Sequence, residues 1–326
     1  MKNFYRNKRI LVTGASGFIG TNLIKKLLKL EANVIGVVHK KKPQLKLNQV
    51  RYFKKDLTKQ KNCLEVCKNI DYVFMCAANS SGAAVIQNEP LSHLTPNIVM
   101  NAYMLKASYE SNVKKFAFIS SNTVYPVSNR PVSENDSCFK FFNKYHIVGW
   151  MKIFSEEMCK MYSMHVKPKM KTLIVRPGNL YGPFDKFDPS QSKVIASLIR
   201  KFFLKQNPIE VWGNGQDIKD FLYIDDFING IIKAFTRDDI LKPINLASST
   251  PVTIKDVVKN LKKISKAKRV FIKYDISKPT MIPVRLISNA YAKKMINFKV
   301  KHTLYNGLKK TFHWYSKNHK KFDDNI

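Results

Sequence analysis

Three glycines at a fixed spacing constrain this chain most. Arg9-Ile-Leu-Val-Thr13 is a short apolar run, Gly14, Gly17 and Gly20 follow it, and residues 21–30 carry the period of an amphipathic helix. Strand, glycine turn and helix, in that order, are the context in which such glycines cradle a dinucleotide. Glycine lets the backbone approach a pyrophosphate, and the helix start offers free N–H groups and the positive end of its dipole. Ser16, Phe18 and Ile19 lie between the glycines and join them as cofactor-binding candidates.

The rest of the chain repeats the alternation. Apolar runs at 34–38, 50–53, 71–76, 115–120 and 171–176 read as strands, and helical runs lie between them, most clearly 97–112 and 145–164. The pattern predicts an α/β fold, a Rossmann-type doubly wound parallel sheet with helices on both faces. From Asn179 onward turns break the rhythm, with helices expected at 192–206, 225–236, 253–264 and 304–318. We therefore expect a dinucleotide-binding domain over 1–178, rejoined by 218–249. A smaller C-terminal α/β substrate lobe is expected from 179–217 and 250–326, over the carboxyl ends of the strands.

Composition narrows the class. With 326 residues, 44% of them hydrophobic, the chain can bury a sizeable core. No apolar stretch approaches the roughly 20 residues of a membrane helix. The polar N-terminus lacks the apolar core of a signal peptide, so a cytoplasmic protein is expected. Five cysteines show no C-x-x-C pair and no accompanying histidines, which points to packing and to no metal site. The net charge of +34 is spread along the whole chain. With no nucleic-acid motif present, solvated lysine faces and an anionic small ligand account for it better than nucleic acid or membrane.

The G-x-x-G-x-x-G spacing with Phe18-Ile19 resembles the extended short-chain dehydrogenase/reductase superfamily, the NAD-dependent epimerase/dehydratase proteins that act on sugar nucleotides. The resemblance implies cofactor contacts from Asp56 and the neighbouring Leu57 at the adenine, and from Ala77 and Ala78 after the fourth strand. It also implies Asn97 behind the active site, and Ser120. An acidic residue ending the second strand would favour NAD. This strand ends Val38-His39-Lys40-Lys41-Lys42, so NADP is expected, with NAD possible, and His39 and Lys40 are candidates for the adenosine ribose.

Ser120-Ser-Asn-Thr-Val-Tyr125 resembles the segment that supplies the superfamily's catalytic hydroxyl, here Ser121. The partner motif, Tyr-x-x-x-Lys, is altered. Tyr145 lies 24 residues after Ser121, but position 149 is glycine and the next lysine is Lys152. Either Tyr145 and Lys152 act together across two helical turns, or Lys152 holds the usual lysine position and Val148 stands where the tyrosine belongs.

In the second half, Arg176-Pro-Gly-Asn-Leu-Tyr-Gly-Pro183, the 209–226 segment around Val-Trp-Gly-Asn-Gly, and residues 277–285 look like the GDP-L-fucose synthase branch. That likeness implies an NAD(P)-dependent oxidoreductase acting at C4 of a nucleotide-activated sugar, and a homodimer. A C4 epimerase with retained cofactor and a weakly catalytic cofactor-binding paralogue are the rivals. Two positions that exchange protons at sugar carbons 3 and 5 in that branch are Thr123 and Lys193 here, which puts epimerisation in doubt. Substrate-binding candidates are Thr123, Asn179, Lys193, Arg200, Lys201, Trp212, Lys219, Lys278 and Arg285.

Overall fold

The computed structural model describes residues 1–79, 90–278 and 280–322. Pro279, inside the 277–285 motif, and residues 323–326 of the expected C-terminal lobe lie outside them. In chain order the elements are α1 (Lys2–Tyr5), β1 (Arg9–Thr13), α2 (Phe18–Lys29), β2 (Asn33–Val38), β3 (Arg51–Lys54), α3 (Gln60–Cys67) and β4 (Tyr72–Met75). There follow α4 (Pro90–Glu110), β5 (Lys115–Ile119), α5 (His146–Met164), β6 (Lys171–Pro177), β7 (Asn179–Tyr181), α6 (Val194–Phe203), β8 (Ile209–Trp212) and β9 (Ile218–Tyr223). The rest are α7 (Ile224–Phe235), β10 (Ile244–Leu246), β11 (Pro251–Thr253), α8 (Ile254–Ile264), β12 (Ile272–Asp275), β13 (Val284–Arg285), α9 (Ala290–Ile296) and α10 (Leu304–Asn318).

Seven parallel strands form the main sheet in the order β10-β6-β5-β4-β1-β2-β3. The strand order reverses between β1 and β4, and such a reversal opens a ligand crevice at the carboxyl ends. Every residue of β4 and β5 is buried, as strands covered on both faces must be. One core cluster fills the side of Leu23, Phe74 and Phe235, the other the side of Leu11, Val73, Phe116 and Cys159. Cys63, Cys67 and Cys159 are buried and unpaired within the second, which fits cysteines used as small hydrophobes.

The second half builds a smaller sheet in which β9 pairs with β7, β11 and β13, and a two-stranded β8–β12 ribbon. α7 and β10 pack back onto the main sheet.

Two elements differ from the pattern. The polar N-terminus is not a plain lead into β1. It forms the short helix α1, which buries Tyr5, and the Tyr5 hydroxyl donates to the Ile232 carbonyl at 2.7 Å. The helix expected from residue 97 is already formed at Pro90.

Candidate functional site

The glycine turn is built as a cradle. Gly14 has φ +63°, and a Cβ there would stand 2.8 Å from the Cys76 carbonyl oxygen. A Cβ on Gly20 would run into the Gly14 carbonyl. Gly17 caps α2 without a side-chain bond, and no acidic residue occupies the first turn. The first N–H groups of α2 therefore meet no competing carboxylate, which is what a pyrophosphate requires. Thr13 locks the turn to the neighbouring strand: its hydroxyl oxygen accepts from the N–H groups of Cys76 at 3.1 Å and Ala77 at 3.0 Å. These residues fit a dinucleotide on an observation of geometry: the glycines let the turn fold tightly on its own backbone, so that it delivers the start of α2, free of any carboxylate, to the carboxyl end of β1.

Around the cradle, Ala77 is partly exposed, Ala78 exposed and Leu57 buried. Asp56 accepts from the Thr58 N–H at 3.0 Å and hydroxyl at 2.7 Å, and these bonds hold its carboxyl below the usual range, with a smaller contribution from His39. His39 and Lys40 are exposed at the end of β2. Asn97 is buried and grips Asn79 from both sides. Its amide oxygen accepts from the Asn79 N–H at 2.8 Å, and its NH2 donates to the Asn79 carbonyl at 2.9 Å. It thus shapes the Ala77-Ala78-Asn79 backbone.

Ser120 and Ser121 follow β5 and face different partners. The Ser120 hydroxyl donates to the buried carboxylate of Glu156 on α5. Glu156 also accepts from one edge of the Arg176 guanidinium, Nε at 2.9 Å and Nη2 at 2.5 Å. Arg176 passes on to the Tyr125 hydroxyl at 3.1 Å, and Tyr125 donates to Asn245 at 2.6 Å. This buried charged network ties β5, β6, α5 and β10 together beneath the crevice. Ser121, half-buried, instead caps a short 3₁₀ turn, accepting from the N–H and hydroxyl of the buried Thr123 at 3.1 and 3.0 Å.

Lys152 lies on α5, four residues before Glu156. Its Nζ donates to the Ile119 carbonyl at 2.9 Å and stands 4.8 Å over the Phe118 ring. Although the residue keeps some exposed surface, desolvation of the ammonium pulls its pKa down to about 8, against the opposing pull of Glu156. Lys152 thus reaches the carboxyl end of β5. Val148, one turn earlier on the same helix face, is the residue beside it. Tyr145 stands at the N-cap of α5, half-buried, with its phenol raised by burial and lowered in turn by the nearby Arg285. Gly149 is buried in the first turn, and a Cβ on it would press within 2.5 Å of the Phe141 ring.

The substrate candidates divide. Arg285 is buried, donates to the carbonyls of Pro126 at 2.9 Å and Tyr125 at 3.2 Å, and leaves its Nε buried with no partner. The Asn179 amide nitrogen, at the start of β7, is likewise buried and unpaired. Such orphaned donors cost free energy unless something accepts from them. Lys201 is committed to the Glu210 carbonyl at 2.7 Å, and Lys219 to Asp217 at 3.2 Å and the Ile282 carbonyl. Trp212 is half exposed, with its indole N–H on Glu210 at 3.0 Å. Lys193 and Lys278 are exposed, and Arg200 is partly buried.

Sequence reasoning missed Asp185. It is buried after Phe184, and burial pushes its carboxyl up to about 6. It also missed the Glu156–Arg176 network, although Lys152-x-x-x-Glu156 at one-turn spacing was available as a signal. Among the described residues no group of three metal-ligating side chains gathers, and no helix is long and apolar enough to cross a membrane.

Comparison with known proteins agrees with this architecture. The chain is 27% identical over 313 residues to GDP-mannose 3,5-epimerase 1 of Oryza sativa subsp. indica, covering 94% of this chain and 81% of that protein. It is 26% identical over 321 residues to GDP-L-fucose synthase 1 of Arabidopsis thaliana, covering 96% and 94%. In three dimensions it resembles a UDP-glucose 4-epimerase of Thermotoga maritima solved with UDP-glucose. The TM-score is 0.86 at 22% identity, over 95% of this chain and 99% of that one. The model of the NAD dependent epimerase/dehydratase family matches residues 10–247, and the chain belongs to that family.

Proposed function

We propose that this protein is an NADP-dependent oxidoreductase acting at C4 of a nucleotide-activated sugar, with a GDP-sugar as substrate. The observation that carries the reading is the position of Lys152. Its Nζ sits at the carboxyl end of β5, on the same edge of the parallel sheet as the glycine cradle after β1. Residues 1–178 with 218–249 would hold the cofactor, and 179–217 with 250–326 the sugar nucleotide.

A bound nicotinamide supplies the hydride at sugar C4; the protein's own groups do the rest. The backbone N–H groups at the start of α2 take the pyrophosphate. Lys152 holds the nicotinamide ribose. The Ser121 hydroxyl donates to the sugar oxygen, and the Tyr145 phenol gives up the proton. Arg285 and Asn179 donate their orphaned N–H groups to the anionic and polar parts of the substrate, and Trp212 stacks on the base. A phenol raised by burial stays protonated near neutral pH. A protonated phenol suits a donor in carbonyl reduction.

The surrounding biology follows the same reading: a cytoplasmic homodimer. The exposed Trp150, Phe154 and Met161 form an apolar stripe at helical spacing on α5, which suits a second copy. The rival, a cofactor-binding protein with little catalysis, draws support from Val148 beside Lys152. Purified protein mixed with NADPH and a GDP-4-keto sugar separates them. Loss of reduced-cofactor absorbance in proportion to substrate supports the reductase. Tight cofactor binding without turnover, across several 4-keto sugars, supports the rival and sinks the proposal.

A further inference from the structure

The sequence spreads its lysines along the chain, and the fold gathers five of them at one end of α8. Lys259, Lys262, Lys263 and Lys266 recur at the spacing of one helix face, along α8 and just beyond its end. The opposite face of α8 buries Ile254, Val257, Val258 and Leu261, which leaves the lysines pointing outward. After the helix the chain turns back. Lys266 adopts φ +56°, and the Ala267 N–H donates to the Lys262 carbonyl at 3.2 Å. That turn brings in Lys268, and the five lysines line one open notch of about 460 Å³.

From Val257 to Tyr274 the chain carries no Asp or Glu. Asp256, the one carboxylate of α8, works at the other end of the helix, accepting from the Thr253 N–H at 3.0 Å and hydroxyl at 2.6 Å. Among the described residues none of the five lysines forms an ion pair. A cation near a helix C-terminus is favourable, which accounts for Lys262 and Lys263 in the last turn. It does not account for Lys259, or for Lys266 and Lys268 past the end. Lys259 and Lys263 stand four apart, as do Lys262 and Lys266, and like charges at that spacing repel. An anionic surface outside the chain would relieve them. Beside the notch, an aromatic ring is held out. Lys262 Nζ reaches the Val270 carbonyl at 3.4 Å, and the next residue, Phe271, is 66% exposed. The Phe271 backbone is fixed, its N–H donating to the Asn207 side chain at 3.0 Å and its carbonyl accepting from the Ile209 N–H at 2.9 Å. Arg269 and Lys273 flank it, both exposed.

We propose that α8 and the 266–273 segment dock this protein on an anionic lipid bilayer, with headgroup phosphates among the lysines of the notch and the Phe271 ring in the interfacial layer. A bilayer is anionic at its surface and apolar just beneath, which matches a cluster of cations around one exposed ring. Nucleic acid matches it less well. Six of the seven cations between Val257 and Tyr274 are lysine, a point charge where arginine offers a planar fork to phosphate. One ring also gives no row of platforms for successive bases. None of these residues is assigned above to cofactor or sugar nucleotide, so the docking does not rest on the proposed reaction.

The test is co-sedimentation of the full chain with vesicles of phosphatidylcholine alone and of phosphatidylcholine mixed with phosphatidylglycerol. Wild type is compared with Lys259→Gln/Lys263→Gln/Lys268→Gln, with Phe271→Ser, and with a control that loses the same charge at exposed positions elsewhere, Lys29→Gln/Lys61→Gln/Lys68→Gln. Thermal unfolding verifies that each is folded. Wild type is expected to sediment with the mixed vesicles only, and to be released as salt is raised. The α8 variant should bind about a hundredfold more weakly, the scale of three basic side chains at an anionic bilayer, and Phe271→Ser about tenfold more weakly. The control should stay within about twofold of wild type. A wild type that ignores the mixed vesicles overturns the proposal. So does a control that loses as much as the α8 variant, since net charge is then the cause, or a Phe271→Ser variant that binds like wild type. Poly(U) RNA or inorganic triphosphate held by the α8 lysines, with vesicles left unbound, would overturn it in favour of nucleic acid or a free anion.

Discussion

The glycine turn and the start of α5 lie on the same edge of the main sheet, and each contains a glycine in a critical position for a different reason. In the turn, the missing side chains face backbone. A Cβ at Gly14 or Gly20 would meet the carbonyls of Cys76 or Gly14, which have nowhere to go. At α5 the missing side chain of Gly149 faces the Phe141 ring, which can move. The first region admits no side chain at these positions. The second has more tolerance, and Lys152, one turn on, reaches the Ile119 carbonyl at the end of β5. On the proposed function, binding and chemistry would rest on separable parts of the site.

The largest effect should come from breaking the first region. Gly20→Val forces the turn apart at the Gly14 carbonyl. We expect cofactor affinity to fall on the order of a hundredfold or more and stability to drop by about 3 kcal/mol, the upper end for overpacking. Cofactor fluorescence titration and urea unfolding would read both. Binding retained within a few-fold would mean that the cofactor does not use this turn.

Next in size is the phenol. Tyr145→Phe should lower turnover on the order of a hundredfold with cofactor affinity unchanged, the scale of a lost proton donor. Val148→Tyr is the counter-experiment, because it places a phenol one turn from Lys152. If Tyr145→Phe is harmless and Val148→Tyr gains activity, the start of α5 is a site that has lost its acid, and the comparison sharpens into binding kept and chemistry lost.

A smaller effect is expected at Gly149. Helix propensity alone favours Gly149→Ala by about 1 kcal/mol. Overpacking against Phe141 costs about 1–3 kcal/mol. A net loss of about 1 kcal/mol in urea unfolding is expected. A net gain would show that the Phe141 ring yields and that the glycine is not there for packing.

What the sequence disclosed follows the same division. The glycine spacing, the parallel alternation and the charge at the end of β2 were legible because each depends on local rules: φ, period and helix-end electrostatics. The Ile119 partner of Lys152 was not, because that carbonyl becomes its neighbour only through the β5–α5 packing, whereas Glu156 lies one turn along the same helix. Nor was the reach of the β2–β3 loop to the second half of the chain, where Gln44 donates to the Phe184 carbonyl. Lys201 and Lys219 looked like free cations in a basic chain, and only the fold shows that backbone carbonyls of Glu210 and Ile282 engage them. Buried carboxyls such as Asp185 are invisible for the same reason, since burial is a tertiary property.

The mildest test uses pH to ask whether Lys152 is kept for function at a cost to stability. Its ammonium is lowered from the ordinary 10.5 to about 8, chiefly by desolvation. Below about 8 both folded and unfolded chains hold the proton, and the folded state bears the full cost of a desolvated charge. Between about 8 and 10.5 the unfolded chain still binds the proton while the folded chain releases it. More protons are then bound in the unfolded state, so this residue's contribution to stability rises with pH across that window. Lys152→Met removes the charge and keeps the bulk. The variant should therefore unfold at a higher temperature than the parent at pH 7, and the gap should narrow as pH approaches 10.5, while cofactor affinity falls about tenfold for want of the ribose contact. Comparing the two proteins at each pH cancels the titration of the other lysines. A gap that widens with pH would show that Lys152 stabilises the fold. A variant with unchanged cofactor affinity would place Lys152 outside the working site, and would leave the glycine turn as the one functional half of the crevice.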